Sequence, residues 1–523
     1  MEKQGGASKL HGETSRISPI TTLWSKVWTT EMNKLSQSVS TRFFLTFFLI
    51  WIAAGTKLAA QEPRFESEIK AYEAKAVDDP PVPGSTFFVG SSTWRLWGPT
   101  LEEDFGKFSP VNRGFGGATI PDVLRVMDRI ILPHRPARIV FSCGGNDLAG
   151  GDTPETVARN FRTFLARVWK ANPLTEVYFV SNRHSPAREK FRKQSDQLNR
   201  LVKELAGKAE GLYYIDVVPL TDGKDRDQLF MADRLHLSRE GQQRWIPVIT
   251  AALEEQDRVR TKPDLADLYR KRVAAGVLNE SEAALPSPQR LNIVFIGNSI
   301  TAGAGLQDRQ TEAPPVLATA YLKQQAGIDQ VAFSNQGVSG YTTVDFLPET
   351  AKAFGKVVQA ADAFKNDPTG RLIFSIVLGT NDSAIQGPNG SPVSPESYRG
   401  NLKTIADRLL TDYPGCRLII HHPIWYSPTT YNRSKYLQEG LDRLQSYFPQ
   451  IDALVAAYGT THPGQVYVGD TQGFNYFKTH YLTDFQHENG QQGTFFLHPN
   501  KKGSATLGLF WAEAIRKAVQ PGN

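Results

Sequence analysis

Along the chain, runs of three to seven apolar and β-branched residues alternate with longer stretches whose apolar positions recur at helical spacing. The runs at 87–89, 139–143, 177–180 and 213–215 read as buried strands, and those at 293–296, 372–378 and 417–420 repeat the pattern further on. Apolar runs without polar alternation mark strands covered on both faces, and strands separated by helices imply a parallel sheet. The pattern predicts an α/β architecture in two copies. Between the copies, residues 259–290 combine many charges, a possible short helix and a Pro-Ser-Pro ending, and read as a linker or bridging segment. The predicted boundaries are 61–258 for the first domain and 291–523 for the second.

Two helix starts support a duplication. "TPETVARNF" (153–161) and "SPESYRGNL" (394–402) follow corresponding strands. Thr153 and Ser394 suit the N-cap, and Pro154 and Pro395 suit the first helical position. Tyr398, Leu402, Ile405 and Leu409 then give the second of these helices one buried face.

Four further blocks recur in the same order in both halves. "FFVGSSTWRLW" (87–97) stands beside "VFIGNSITAGAG" (294–305), "NRGFGG" (112–117) beside "NQGVSG" (335–340), "GGND" (144–147) beside "GTND" (379–382), and "DRLHLSREG" (233–241) beside "LHPNKKG" (497–503). Taken singly, the serines read as helix N-caps, the glycines and asparagines as turn residues, and the histidines as surface or core residues. Four blocks in order, twice, with strands before the first and third, are a specific signal that no block carries alone.

On these blocks the sequence resembles the SGNH hydrolase superfamily, the GDSL-type esterases and lipases, as two tandem copies covering nearly all the chain after the leader. The first half is similar to the branch containing the platelet-activating-factor acetylhydrolase α subunits, the second to secreted bacterial carbohydrate acetylesterases. The resemblance implies two three-layer α/β/α, flavodoxin-like domains with mostly parallel sheets. It implies serine nucleophiles at Ser92 and Ser299 and histidine bases at His236 and His498. The oxyanion donors it implies are the serine N–H with Gly117 and Asn146 in one half, and with Gly340 and Asn381 in the other. It also implies hydrolysis of carboxylic esters without a cofactor, short acyl groups on polysaccharide being the expected substrate; lipid esters, or carbohydrate binding at decayed sites, are the rival readings.

The chemistry explains these residue types. A serine hydroxyl needs a base within hydrogen-bond reach to become a nucleophile. Preorganised donors must meet the charge that develops on the carbonyl oxygen. Ligands of open α/β sheets bind at the carboxyl ends of strands, where both serines fall.

The copies depart from the pattern in different places. In the first, Asp233 lies three residues before His236 and completes a triad, while Gly-Ser-Ser leaves Ser91 as a rival nucleophile. In the second, Phe495 holds the position of the acid. Three accounts fit: a backbone carbonyl orients His498, another carboxylate (Glu488 first, then Asp484 or Asp470) reaches it, or this copy is impaired. Trp425 and Tyr426, in the loop after a strand, either stack on sugar or pack within the loop. His421 and His422 are adjacent on a strand and point to opposite faces, so no metal site is expected.

Composition adds three constraints. At 523 residues the chain exceeds one core. Its net charge of +6 lies mostly in residues 1–60, which hold seven Lys/Arg against three Asp/Glu, so nucleic-acid binding loses its main support. That leader orders Lys34 and Arg42, an apolar run at 43–54 and small residues ending at Ala60, the layout of a secretory signal peptide whose true start would be Met32. The run is short for a membrane span, which argues against the rival, an uncleaved anchor, and for a secreted or periplasmic product. Cys143 and Cys416, one per half, read as buried free thiols.

Overall fold

The computed structural model describes residues 63–259, 263–281, 288–367 and 369–520. The leader, with Met32, and parts of the 259–290 segment lie outside the described residues.

The first half forms a five-stranded sheet of β1 (Thr86–Gly90), β2 (Pro110–Gly114), β3 (Arg138–Ser142), β4 (Glu176–Val180) and β5 (Leu212–Ile215), in the order β2-β1-β3-β4-β5. The second repeats it with β6 (Gln289–Gly297), β7 (Ile328–Gly337), β8 (Gly370–Val377), β9 (Arg417–Ile420) and β10 (Val466–Val468), in the order β10-β9-β8-β6-β7. Every pairing within these two sheets is parallel. The strand order reverses between β1 and β3, and again between β6 and β8, which opens a crevice at the carboxyl ends in each half. These are tandem α/β domains.

All positions of β1 and β3 are buried, because helices cover both faces. On one face Phe88, Val140 and Tyr178 join Trp94, Trp97, Trp245 and Ile249 in a single apolar cluster. On the other, Phe141 packs against Phe161, Phe164 and Phe179 with ring centroids 4.6–6.2 Å apart. The expected helix starts are present: Thr153 accepts a hydrogen bond from the Thr156 N–H at 3.3 Å, and Ser394 from the Ser397 N–H at 3.2 Å. Both cysteines are buried and free.

Two strands without a clear apolar run, β2 and β7, each stand at a sheet edge, while the edge strand β10 is a three-residue apolar run. An edge strand tolerates Pro110 at its start and polar positions such as Asp329 and Gln330 in β7, so its sequence lacks the signal of a buried one. The segment between the halves carries a helix, Leu265–Ala274, whose Arg272 bonds the carbonyls of Glu210 at 2.9 Å and Pro173 at 2.8 Å in the first half. Among the described residues no helix is long and apolar enough to cross a membrane.

The end of β1 makes a sharp demand on sequence. Gly90 has φ +143°, and a Cβ there would lie 2.1 Å from the Ser142 carbonyl oxygen on β3. Backbone on both sides cannot yield cheaply, so Gly90→Ala is expected to lower stability by roughly 2–4 kcal/mol. Thermal unfolding of the variant would show this as a clear fall in Tm; an unchanged Tm would mean the strand end relaxes.

Candidate active site

The close approach at Gly90 turns the chain straight into helix Ser92–Trp97, and the end of β6 does the same into helix Ser299–Ala302. The residues before these serines match in conformation: Ser91 has φ −101° and ψ −154°, Asn298 φ −103° and ψ −151°. Ser91 therefore occupies the place of Asn298, and Ser92 that of Ser299. Below Ser92 the short helix is anchored by Trp94 and Trp97, both fully buried, with Trp94 against Phe88 at 4.9 Å. Each aromatic buried this way contributes roughly 2–3 kcal/mol, enough to hold a six-residue helix that could not persist alone.

In the first half, His236 Nε2 lies 2.9 Å from Ser92 Oγ, and His236 Nδ1 lies 2.6 Å from Asp233 Oδ2. Asp233 Oδ1 also accepts from the backbone N–H groups of Leu235 and His236, at 2.9 and 3.0 Å. The His236 N–H is the leading reason its carboxyl is pulled down to about 2, followed by the imidazole contact. The carboxylate is thus ionised across the neutral range. The imidazole lies against Ser92, and this corrects the reading that kept Ser91 as a rival.

In the second half, His498 Nε2 lies 2.9 Å from Ser299 Oγ. His498 Nδ1 faces Glu488, at 2.9 Å from Oε1 and 3.1 Å from Oε2, and the His498 N–H donates to Oε2 at 3.1 Å. Glu488 stands on β11 (Glu488–Gly490), which pairs antiparallel with β12 (Gly493–Phe495) in a hairpin running up to the histidine loop. Of the three carboxylates considered, this one reaches the imidazole. Asp484 is buried against Tyr476 and Lys502, at 2.9 and 2.7 Å, and Asp470 accepts from the N–H groups of Gln472 and Gly473. Both are corrected: their oxygens are engaged elsewhere.

The asparagines converge on the glycine loops. Asn146 Nδ2 donates to the Ala118 carbonyl at 2.9 Å and Asn381 Nδ2 to the Tyr341 carbonyl at 2.8 Å, each the residue after the expected oxyanion glycine. An amide nitrogen carries two hydrogens, so each bond leaves one for a ligand. Gly117 and Gly340 have φ +79° and +81°, a conformation that non-glycine residues adopt at a cost, and space is open where a Cβ on Gly340 would project.

Several supporting residues escaped the sequence reading. Asp147 and Asp382, the last residues of the third blocks, accept from the backbone N–H groups of Ile120 and Thr343, each at 2.9 Å, and so tie the asparagine loop to the glycine loop. Burial pushes both carboxyls up to about 6. Arg183 bridges Thr93 Oγ1 and the Leu235 carbonyl at 3.1 and 3.0 Å, joining the serine helix to the histidine loop. Gln486 performs the same task in the second half, donating to the carbonyls of Ala304 and Pro499, both at 3.0 Å. The two aspartates were legible as repeated positions. Arg183 and Gln486 share neither type nor spacing, so no pattern exposes them.

Trp425 and Tyr426 also need correction. Tyr426 has no exposed surface and Trp425 retains 7 %, so neither offers a ring face to a sugar. Trp425 packs on Tyr481 and Phe485, and the Tyr426 hydroxyl meets Ser383 Oγ at 2.9 Å. His421 and His422 are likewise internal. His421 lies 2.9 Å from Ser375 Oγ, and burial holds it neutral with a pKa of about 3, while His422 pairs with Asp452.

At the topological switch point each half brings together a hydroxyl, an imidazole, a carboxylate and an amide. The chain belongs to the GDSL-like lipase/acylhydrolase family, whose model matches residues 82–244 and again 295–506. Members of that family are hydrolases acting on esters. Among solved structures, the chain is similar to a lipase/acylhydrolase from Enterococcus faecalis (18 % identity, TM-score 0.30, covering 33 % of this chain and 96 % of that one). It is also similar to a GDSL-like lipase from Bacteroides thetaiotaomicron (20 %, 0.31, 36 % and 98 %) and to a carbohydrate acetylesterase from Sinorhizobium meliloti (14 %, 0.31, 44 % and 99 %). No curated protein matches.

Proposed function

We propose that the chain is an exported serine esterase with two sites, hydrolysing short carboxylic esters, above all acetyl groups on polysaccharide. The observation that carries this reading is the repeated contact of serine Oγ with histidine Nε2 at 2.9 Å, each histidine backed by a carboxylate on Nδ1. Ser92 or Ser299 attacks the ester carbonyl while His236 or His498 takes its proton. The same imidazole then returns that proton to the leaving alcohol, and water releases the acid from the acyl-serine. Asp233 and Glu488 hold the imidazole tautomer and stabilise its charged form. The serine N–H, the Gly117 or Gly340 loop and the free hydrogen of Asn146 or Asn381 stabilise the oxyanion. The leader's charge and apolar run support export, and the likeness of the second half to carbohydrate acetylesterases supports the sugar ester.

The test is acetate release from acetylated xylan, run beside nitrophenyl esters of increasing chain length and serine labelling by a fluorophosphonate probe. Labelling at Ser92 and Ser299 with a preference for acetyl is the expected result. A preference for long chains would make the protein a lipase, and an unlabelled chain would make it a binding protein. Asn381→Ala, measured with the first site silenced by Ser92→Ala, is expected to lower turnover by ~10²- to 10³-fold with little change in KM. An unchanged turnover would remove the amide from the reaction.

A further inference from the structure

The two sites agree in their reacting groups and differ in what stands behind the amide. At the second site the partner of Asn381 Oδ1 is the buried hydroxyl of Tyr436, at 2.8 Å, a neutral donor. At the first, Asn146 Oδ1 accepts from Arg188 Nη2 at 2.6 Å. Arg188 lines the same cleft as Ser92, Asn146 and Arg183. Among the described residues neither guanidinium has a carboxylate within ion-pair distance: Arg183 bonds Thr93 and Leu235, and Arg188 bonds Asn146.

The carboxylates around this cleft are already matched. Glu189 bonds Arg226 at 2.6 Å and Arg192 at 3.3 Å, Asp222 meets Arg192 and His184, and Asp233 holds His236. Asp147, behind the amide, accepts from Ile120 and acts on Arg188 through its field without contact. A guanidinium carries five N–H donors in a planar fork, and the Asn146 bond uses one, so Arg188 keeps donors for a ligand beside the reacting hydroxyl. An unmatched cation in a partly desolvated cleft favours a ligand that brings the counter-charge, and the fork fits a carboxylate. An acetyl group has no room for such a charge, so on an acetyl ester it must sit on the alcohol.

Resting on the esterase reading, we propose that the first site selects esters whose alcohol carries a carboxylate, such as an acetylated uronic acid unit, with Arg188 reading the charge; the second site, with Tyr436 in that place, has no such preference. The tandem arrangement then serves acidic and neutral units of one substrate class.

Binding separates this inference from the reading beneath it. The full chain carrying Ser92→Ala and Ser299→Ala, titrated with methyl glucuronoside and methyl glucoside, is expected to bind the acidic sugar about tenfold more tightly. The difference should vanish in Arg188→Gln and persist in part in Arg188→Lys, which keeps the charge and controls for loss of fold. Equal binding of the two sugars, or a preference that survives Arg188→Gln, overturns the proposal. Acetate release from the two acetylated glycosides by the Ser299→Ala chain should show the same tenfold ratio in kcat/KM. Preferential binding without any acetate release would sink the esterase reading and leave the anion site standing.

Discussion

Ser92→Ala and Ser299→Ala are each expected to remove part of the acetate release from acetylated xylan, and the double variant nearly all of it. The two serines begin helices that follow strands of different sheets, each within 2.9 Å of its own imidazole, so no shared group couples them. Loss of a nucleophile leaves only what the oxyanion donors and substrate binding contribute, and losses of roughly 10⁶ in turnover follow at comparable sites. With two independent sites, each single variant reports the working rate of the other. An unaffected Ser299→Ala chain would assign activity on this polymer to the first domain. A double variant that still releases acetate at the wild-type rate would exclude both serines from the reaction.

The carboxylates come next in magnitude. Asp233→Asn, measured in the Ser299→Ala chain, and Glu488→Gln, measured in the Ser92→Ala chain, are each expected to lower turnover by up to ~10⁴-fold, because the amide favours the wrong imidazole tautomer and cannot stabilise the cation. The side effects should differ. Asp233 also closes its loop through two backbone N–H groups, whereas Glu488 takes one, from His498 itself. Asp233→Asn should therefore also raise KM through loosening of the histidine loop, and Glu488→Gln should act mainly on kcat. If Glu488→Gln leaves kcat intact, His498 is oriented without a carboxylate and the second site works as a dyad.

Most of the site was legible because its chemistry falls at strand ends, and strand ends are marked by sequence. The apolar runs of β1, β3, β6 and β8 fixed where the chain would surface, and the glycine–serine and glycine–asparagine steps that follow them lie at those ends. Glu488 was favoured only because its loop leads into the histidine; the hairpin that brings it within 2.9 Å is too short to announce itself. The edge strands β2 and β7 were hidden by their polar positions. Trp425 and Tyr426 carried two readings for a related reason: an aromatic pair after a strand looks the same whether it faces solvent or closes a core, and burial against Tyr481, Phe485 and Ser383 selects packing. Arg188 and Tyr436 serve equivalent asparagines from different distances along the chain, so only folding brings out their equivalence.

The hairpin that bears Glu488 has a thermal consequence. Apart from the Glu488–His498 contacts, it is held by the buried ring of Phe495, the Thr429 hydroxyl on the Thr494 carbonyl at 3.0 Å, and Gln491, whose N–H donates to the Tyr431 carbonyl at 2.7 Å and whose Nε2 donates to the Asn432 carbonyl at 3.4 Å. Two short strands of this kind open at a lower free energy than the sheet beneath them. On gentle warming the second domain should fall idle while its scaffold is still intact, and recover on cooling. The first domain, whose acid sits within three residues of its histidine, should keep working until the sheet itself melts.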